Sequence, residues 1–291
     1  NHYSSILTLK IEESLFVSTS FLVKPANKLM VSSLLLITCL LMLISYLWLQ
    51  VKATDESLLR QKLNLSLVNL SQNIDGRIAS MKLIAKTVAN DAHIQSWVES
   101  GFIINQESIL VDKLDFLVSE YGLTSASFAD KNTHKYWNHE GFLRVLAPET
   151  DTWYFTYLAS GESDLVSVYH DKNKHRVDVY VNYQQPNGNG LSGIATSFDG
   201  VLEILNDSIF AQHGDIYLVD SLGKIQVHAK AEIAGTTELQ DIFAKSTVER
   251  LLQPNSTGFI KVKQNEGHLL GASYIPSMKW YVVAHLSKAG Q

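Results

Sequence analysis

The chain has 291 residues, 46% of them hydrophobic, with 24 Lys+Arg against 29 Asp+Glu for a net charge of −5. Five Pro and 16 Gly exclude a collagenous or low-complexity chain, and an acidic balance without a Lys/Arg cluster argues against a nucleic-acid partner. The single cysteine, Cys39, excludes an internal disulfide and a CxxC or zinc-finger site.

Residues 29–51 read LMVSSLLLITCLLMLISYLWLQV, 23 residues without a charge. A bilayer core needs about 20 apolar residues as a helix, so this segment is predicted to span a membrane. Tyr46 and Trp48 sit where an aromatic belt belongs. Lys24 and Lys28 precede the run, and Lys52, Asp55 and Glu56 follow it. That slight positive-inside bias puts residues 1–28 in the cytoplasm and everything from about residue 53 outside.

Beyond the span, Leu58, Leu59, Leu63, Leu67, Leu70, Ile74, Ile78, Met81, Ile84, Ala85 and Val88 recur at helical spacing. They predict one long amphipathic stalk helix over 52–98. It suits packing against the domain it leads into and, beyond that, a parallel pairing in a homodimer. A second helix is predicted at 107–121. The texture then turns to period-two runs, with strands expected at 125–129, 165–170, 177–184 and 191–197. PNGNG at 186–190 is a strong hairpin turn. Tyr136, Trp137 and Asn138 read by default as a surface loop that could also line a pocket. A helix is expected over 200–212.

A shorter set follows: a hairpin of 215–220 and 224–228, a helix over 238–252, and strands at 258–264, 269–274 and 279–286, with a turn at 265–267. Two successive sets of antiparallel strands with helices predict an α+β chain of two domains, over 99–200 and 201–286. Residues 287–291 are expected to lead into a second membrane helix or to close the chain.

The order of these parts resembles a double Cache sensor, the extracytoplasmic PAS-like module of bacterial transmembrane receptors. The residues that carry the likeness are DTWYF at 151–155, YHD at 169–171, GIATSFD at 193–199, IYLVDSLGKIQVHAK at 216–230 and MKWYVVAHL at 278–286. The resemblance implies a membrane-distal ligand-binding domain over 99–200 and a membrane-proximal one over 201–286. In members that bind amino acids and amines, the distal pocket follows Y-x4-R-x-W-Y, then Y-x-D, then a further Asp. Trp153 and Tyr154 match the W-Y; Tyr169 and Asp171 match the Y-x-D; Asp199 lies near the last Asp, with Phe198 competing for that column. Asp151 stands where the carboxylate-clamping Arg would be, and Leu146 where the Tyr would be. Without the Arg, the implied ligand is a cationic amine, held by aromatic walls and carboxylates. Tyr136 and Asp151 complete the candidate set.

Each candidate also has a plain structural reading. Trp153 and Tyr154 suit a core, Asp171 a solvated turn, and Asp151 and Asp199 helix caps. No P-loop, HExxH or GxSxG occurs, and the ten His lack metal-ligand spacing. No metal, cofactor or catalytic residue is therefore expected. The first reading is the ligand-sensing region of a receptor with its output beyond Gln291: a histidine kinase first, then a diguanylate cyclase or chemoreceptor. The alternatives are a sensor that reads a periplasmic partner protein and a membrane-anchored extracytoplasmic enzyme.

Overall fold

The computed structural model describes residues 25–171, 176–206, 208, 210, 214–230, 232–254, 257–261 and 268–286. The expected cytoplasmic stretch up to residue 24, the polar turn 172–175, the turn 265–267 and the end of the chain lie outside the described residues. The chain divides into two compact units, Asn1–Arg60 and Gln61–Gln291.

Helix α1 runs without interruption over Pro25–Ala89. Within it, Met30–Val51 is long and apolar enough to cross a membrane, and none of it is buried. From Leu63 onward the helix carries a buried stripe of Leu63, Leu67, Leu70, Ile74, Ile78, Met81, Ala85 and Val88. Steps of three and four keep these on one face. The stalk does not continue to residue 98. Asp91 accepts hydrogen bonds from the backbone N–H groups of His93 and Ile94 and starts a separate helix, α2 (Ala92–Glu99). An Asp able to cap offers the chain a new start and ends the old helix. Helix α3 (Glu107–Tyr121) has the expected bounds and stops at Gly122, whose φ of 59° makes a left-handed cap.

The first sheet has six antiparallel strands in the order β3-β2-β1-β6-β5-β4. They are β1 (Ser125–Asp130), β2 (Lys135–Asn138), β3 (Gly141–Val145), β4 (Asp164–Asp171), β5 (Arg176–Gln184) and β6 (Gly190–Ser197). Helix α4 (Thr152–Ser160) connects β3 to β4. The segment expected as a surface loop at Tyr136–Asn138 is strand β2. Trp137 draws it in: the ring is 2% exposed, packs edge-on to Trp97 at 5.0 Å, stacks with Phe102 at 5.4 Å, and donates its Nε1–H to Glu107 at 3.1 Å.

The second sheet has the order β8-β7-β11-β10-β9: β7 (Gly214–Val219), β8 (Ile225–Val227), β9 (Thr257–Lys261), β10 (Leu269–Ile275) and β11 (Trp280–Leu286). Helix α5 (Asp199–Asn206) joins the sheets. The single helix expected over 238–252 is two short ones, α6 (Leu239–Ile242) and α7 (Lys245–Leu251). Phe243 breaks them by turning extended, with φ −125° and ψ 152°, to bury its ring.

One continuous core joins the α1 stripe to both sheets, taking Phe128, Val179, Val181 and Ile194 from the first and Ile216, Leu218, Leu269 and Val282 from the second. Strand alternation sends the neighbouring residues of the first sheet to its other face. There Ala129 and Leu191 pack with Leu146, Tyr154 and Tyr157 in a smaller cluster. The face away from α1 is where the site forms.

Candidate functional site

A cavity of about 1010 Å³ opens on that face, at the top of the range of about 300–1,000 Å³ for small-molecule sites. Its floor comes from Ser127 on β1 and from Tyr180 and Asn182 on β5. Register explains the meeting: Ser127 and Asn182 both stand opposite Gly193 of β6. A Cβ on Gly193 would lie 2.6 Å from Asn182 Oδ1 and 2.8 Å from Ser127 Oγ, so the glycine leaves room for those two polar groups.

The roof is α4, with Thr152, Trp153, Thr156 and Ser160, beside Tyr136 of β2 and Arg144 of β3. One side is edge strand β4, whose residues 164–169 all line the space. The far wall is Ser221 with the β10–β11 turn, Ser277, Met278 and Lys279. Lys82 of α1 closes the perimeter.

Of the sequence candidates, the cavity brings together Trp153, Tyr169 and Tyr136. Trp153 and Tyr169 are 42% and 57% exposed, as rings waiting on a ligand or on solvent would be. Burial pushes the Tyr136 phenol up, opposed by a hydrogen bond with Ser127 and by the Arg144 charge. Tyr154 does not line the cavity. One residue along the helix from Trp153, it faces the core, fully buried, and its hydroxyl donates to the Asp130 carbonyl at 3.4 Å. Burial raises that phenol strongly. Asp199 is exposed in the first turn of α5 and accepts from the Ser197 hydroxyl at 2.6 Å, away from the cavity. Asp171 ends β4, with its side chain outside the described residues.

Asp151 is 2% exposed and is neither a lining group nor a side-chain helix cap. Its carboxylate accepts from Arg144 Nη2 at 2.7 Å, from the Ala147 N–H at 3.1 Å and from the Thr150 hydroxyl at 2.9 Å. The Arg144 hydrogen bond leads in holding this carboxyl below the usual carboxylate range. Asp151 thus staples the β3–α4 loop and aims Arg144. The guanidinium side chain keeps 54% exposure, lines the cavity, and lies 6.0 Å from the Tyr136 ring centroid.

The cavity therefore holds a cation that the sequence reading missed. The signal was present in outline: an acid stands in the arginine's column, and an arginine sits seven positions upstream. Lys82 and Asp164 were missed as well, because nothing local links residues 82 positions apart.

No protein-family model matches the chain. The methyl-accepting chemotaxis protein McpG of Pseudomonas putida is 24% identical over 225 residues, which are 76% of this chain and 33% of that protein. The chain thus spans about a third of the length of the curated relative it matches. Among solved structures, the ligand-binding domain of the Pseudomonas aeruginosa amino-acid chemoreceptor PctC, in complex with GABA, superposes with a TM-score of 0.59 at 16% identity, covering 78% of this chain and 99% of that one. The ligand-binding domain of the Pseudomonas fluorescens chemoreceptor CtaA with L-serine gives 0.58 at 16%, covering 80% and 99%. A domain of a sensory box/GGDEF family protein from Vibrio parahaemolyticus gives 0.59 at 13%, covering 79% and 97%. The chain has the fold of these neighbours, the α+β double PAS-like fold of double Cache sensor domains.

Proposed function

We propose that the chain is the extracytoplasmic ligand-sensing region of a bacterial transmembrane signal-transduction receptor. Residues 29–51 anchor it in the inner membrane, and residues from about 53 lie in the periplasm. The membrane-distal domain, over 99–200, takes the ligand, and the domain over 201–286 lies nearer the membrane. The observation that carries this is the cavity on the first sheet, walled by exposed aromatics and by charged groups of both signs. A histidine kinase, diguanylate cyclase or chemoreceptor output suits the fold equally. Pairing of stalk helices into a homodimer suits the chain's long α1.

The ligand class we favour is a small compound with both an ammonium and an anionic group. Arg144 offers a guanidinium already oriented by Asp151, the usual partner of a carboxylate. Trp153 and Tyr169 offer rings that attract a cation, and Glu162 and Asp164 offer carboxylates on the same wall. The GABA and L-serine of the solved relatives are of this class. A bare amine has less support than the missing arginine column suggested, because Asp151 is committed to Arg144.

The test is a thermal-shift screen of amino acids, amines, organic acids and sugars against the detergent-solubilised chain. A ligand at 100 times its Kd adds about 2.7 kcal/mol of stability. Amino compounds that shift wild type but not Arg144→Ala support the reading. A response to amines alone, unchanged in Arg144→Ala, restores the simple amine. A flat screen refutes the cavity as a small-molecule site and favours a periplasmic partner protein.

A further inference from the structure

Helix α1 contributes a side chain to the cavity, and that side chain is held by an ion pair. The Lys82 ammonium pairs with the Asp164 carboxylate at the start of edge strand β4, and both residues line the cavity. Their side chains are 25% and 37% exposed, so the pair is open to whatever enters. The Arg144–Asp151 pair, of which only Arg144 lines the cavity, contrasts with it: Asp151 is 2% exposed, with a main-chain and a hydroxyl donor besides Arg144. Asp164 has acceptor capacity to spare. Its other oxygen meets the Ser163 hydroxyl at 3.4 Å, and a carboxylate offers about four lone-pair sites. Glu162 adds negative charge on the same wall, and the exposed rings of Trp153 and Tyr169 face the same space.

We infer that a ligand ammonium group takes Asp164 in place of Lys82, and that the release of Lys82 is how occupancy of the cavity reaches α1. The inference rests on the cavity being the ligand site. Partly exposed ion pairs are weak, so an incoming ammonium exchanges for Lys82 at small cost, which a buried pair would not allow. The helix is also fixed to the second sheet close by. Asp75 accepts from the Ser277 N–H at 2.7 Å, and the Ser71 and Ser273 hydroxyls lie 2.7 Å apart. Lys82 lies about two helical turns past Asp75. A change at Lys82 therefore acts on a helix already tied to the turn that forms the far wall of the same cavity.

The experiment uses the full chain in nanodiscs with three probes: putrescine, γ-aminobutyrate and succinate. Binding is followed by calorimetry, and the state of α1 by hydrogen exchange of the amides of residues 79–86. Lys82 competes with the ligand for Asp164, so Lys82→Met is expected to bind the ammonium probes about two- to fivefold more tightly, the factor a weak pair is worth. Asp164→Asn is expected to lose most of that binding while keeping its circular dichroism. Exchange in ligand-free Lys82→Met is expected to match ligand-bound wild type and to change no further on adding probe. Weaker or unaltered binding of the ammonium probes by Lys82→Met, with wild type responding, overturns this inference and leaves the cavity reading standing. A succinate response abolished by Lys82→Met makes Lys82 the ligand's own anion partner and overturns it too. Silence of all three probes in wild type and Lys82→Met alike overturns both.

Discussion

Asp151→Ala is the substitution that most directly probes how the site is built. It removes an acceptor for the Ala147 N–H, the Thr150 hydroxyl and Arg144 at once. A stranded backbone donor costs about 1–3 kcal/mol. The ion pair is worth up to about 1 kcal/mol, because the Arg144 side chain keeps 54% exposure. Thr150 is exposed and finds water. The loss should be about 2–3 kcal/mol, which for a unit of this size lowers the melting temperature by roughly 4–12 °C. Asp151→Asn keeps an acceptor for the Ala147 N–H and should lose about half as much. Since the folded state holds the Asp151 carboxyl below its ordinary range, the ionic contribution is present above the unfolded pKa of about 4 and fades as pH falls through the lower folded value. The gap between wild type and Asp151→Ala should therefore narrow in acid. Thermal melts from pH 3 to 7 measure all of this. A deficit under about 0.5 kcal/mol at pH 7, or one that widens in acid, would refute the staple.

Other expectations follow from the same geometry. Gly193→Val pushes a side chain between Asn182 and Ser127; it should cost about 1–3 kcal/mol of stability and abolish ligand-induced melting shifts, and a variant that binds normally would displace the floor we describe. Ile78→Ala, at a site 1% exposed beneath the first sheet, should destabilise by about 2–5 kcal/mol, read by denaturant titration. In the second sheet, His285 Nε2 lies 3.0 Å from His268 Nδ1, and burial, then the His268 charge, depresses the His285 pKa. Its neutral form is favoured by folding, so stability is full above the unfolded value of about 6.5 and falls as pH drops through the lower folded value. His285→Gln should flatten the stability–pH curve below about pH 6.5, and an unchanged curve would contradict this.

The elements with strong periodicity were legible in the sequence. The α1 stripe, α3 and strands β1, β4, β5 and β6 fall within a residue or two of where the alternation places them. The breaks were harder. Asp91 and Phe243 interrupt helical patterns for reasons outside the hydrophobic period: a cap in one case, a ring taken into the core in the other. Strand β2 is four residues long and owes its place to Trp137 packing on partners about 35 and 40 positions earlier. Of the candidates that line the cavity, Trp153 and Tyr169 were readable from the motif and Tyr136 from the aromatic–polar cluster at 136–138, whereas Tyr154 and Asp199 do not line it. The motif fixes a column of the chain and leaves open which way a side chain faces. Adjacent residues on a helix lie about 100° apart, and that rotation separates the cavity-facing Trp153 from the buried Tyr154.

The edge position of β4 adds something that no residue motif carries. A strand at the end of a sheet keeps one row of N–H and C=O groups unpaired, and β4 is the last strand of the first sheet. Its residues 164–169 line the cavity consecutively rather than alternately, as happens when a strand presents its edge as well as one face. Alternate residues of β4 therefore keep main-chain donors and acceptors unpaired by the sheet along the strand that lines the cavity. Substitution of Val166 or Val168 would alter the walls and leave those backbone groups in place. Ligand class should then follow the charged groups at the perimeter, Arg144, Lys82, Asp164 and Glu162, and the backbone of β4 should serve any small polar ligand that they admit.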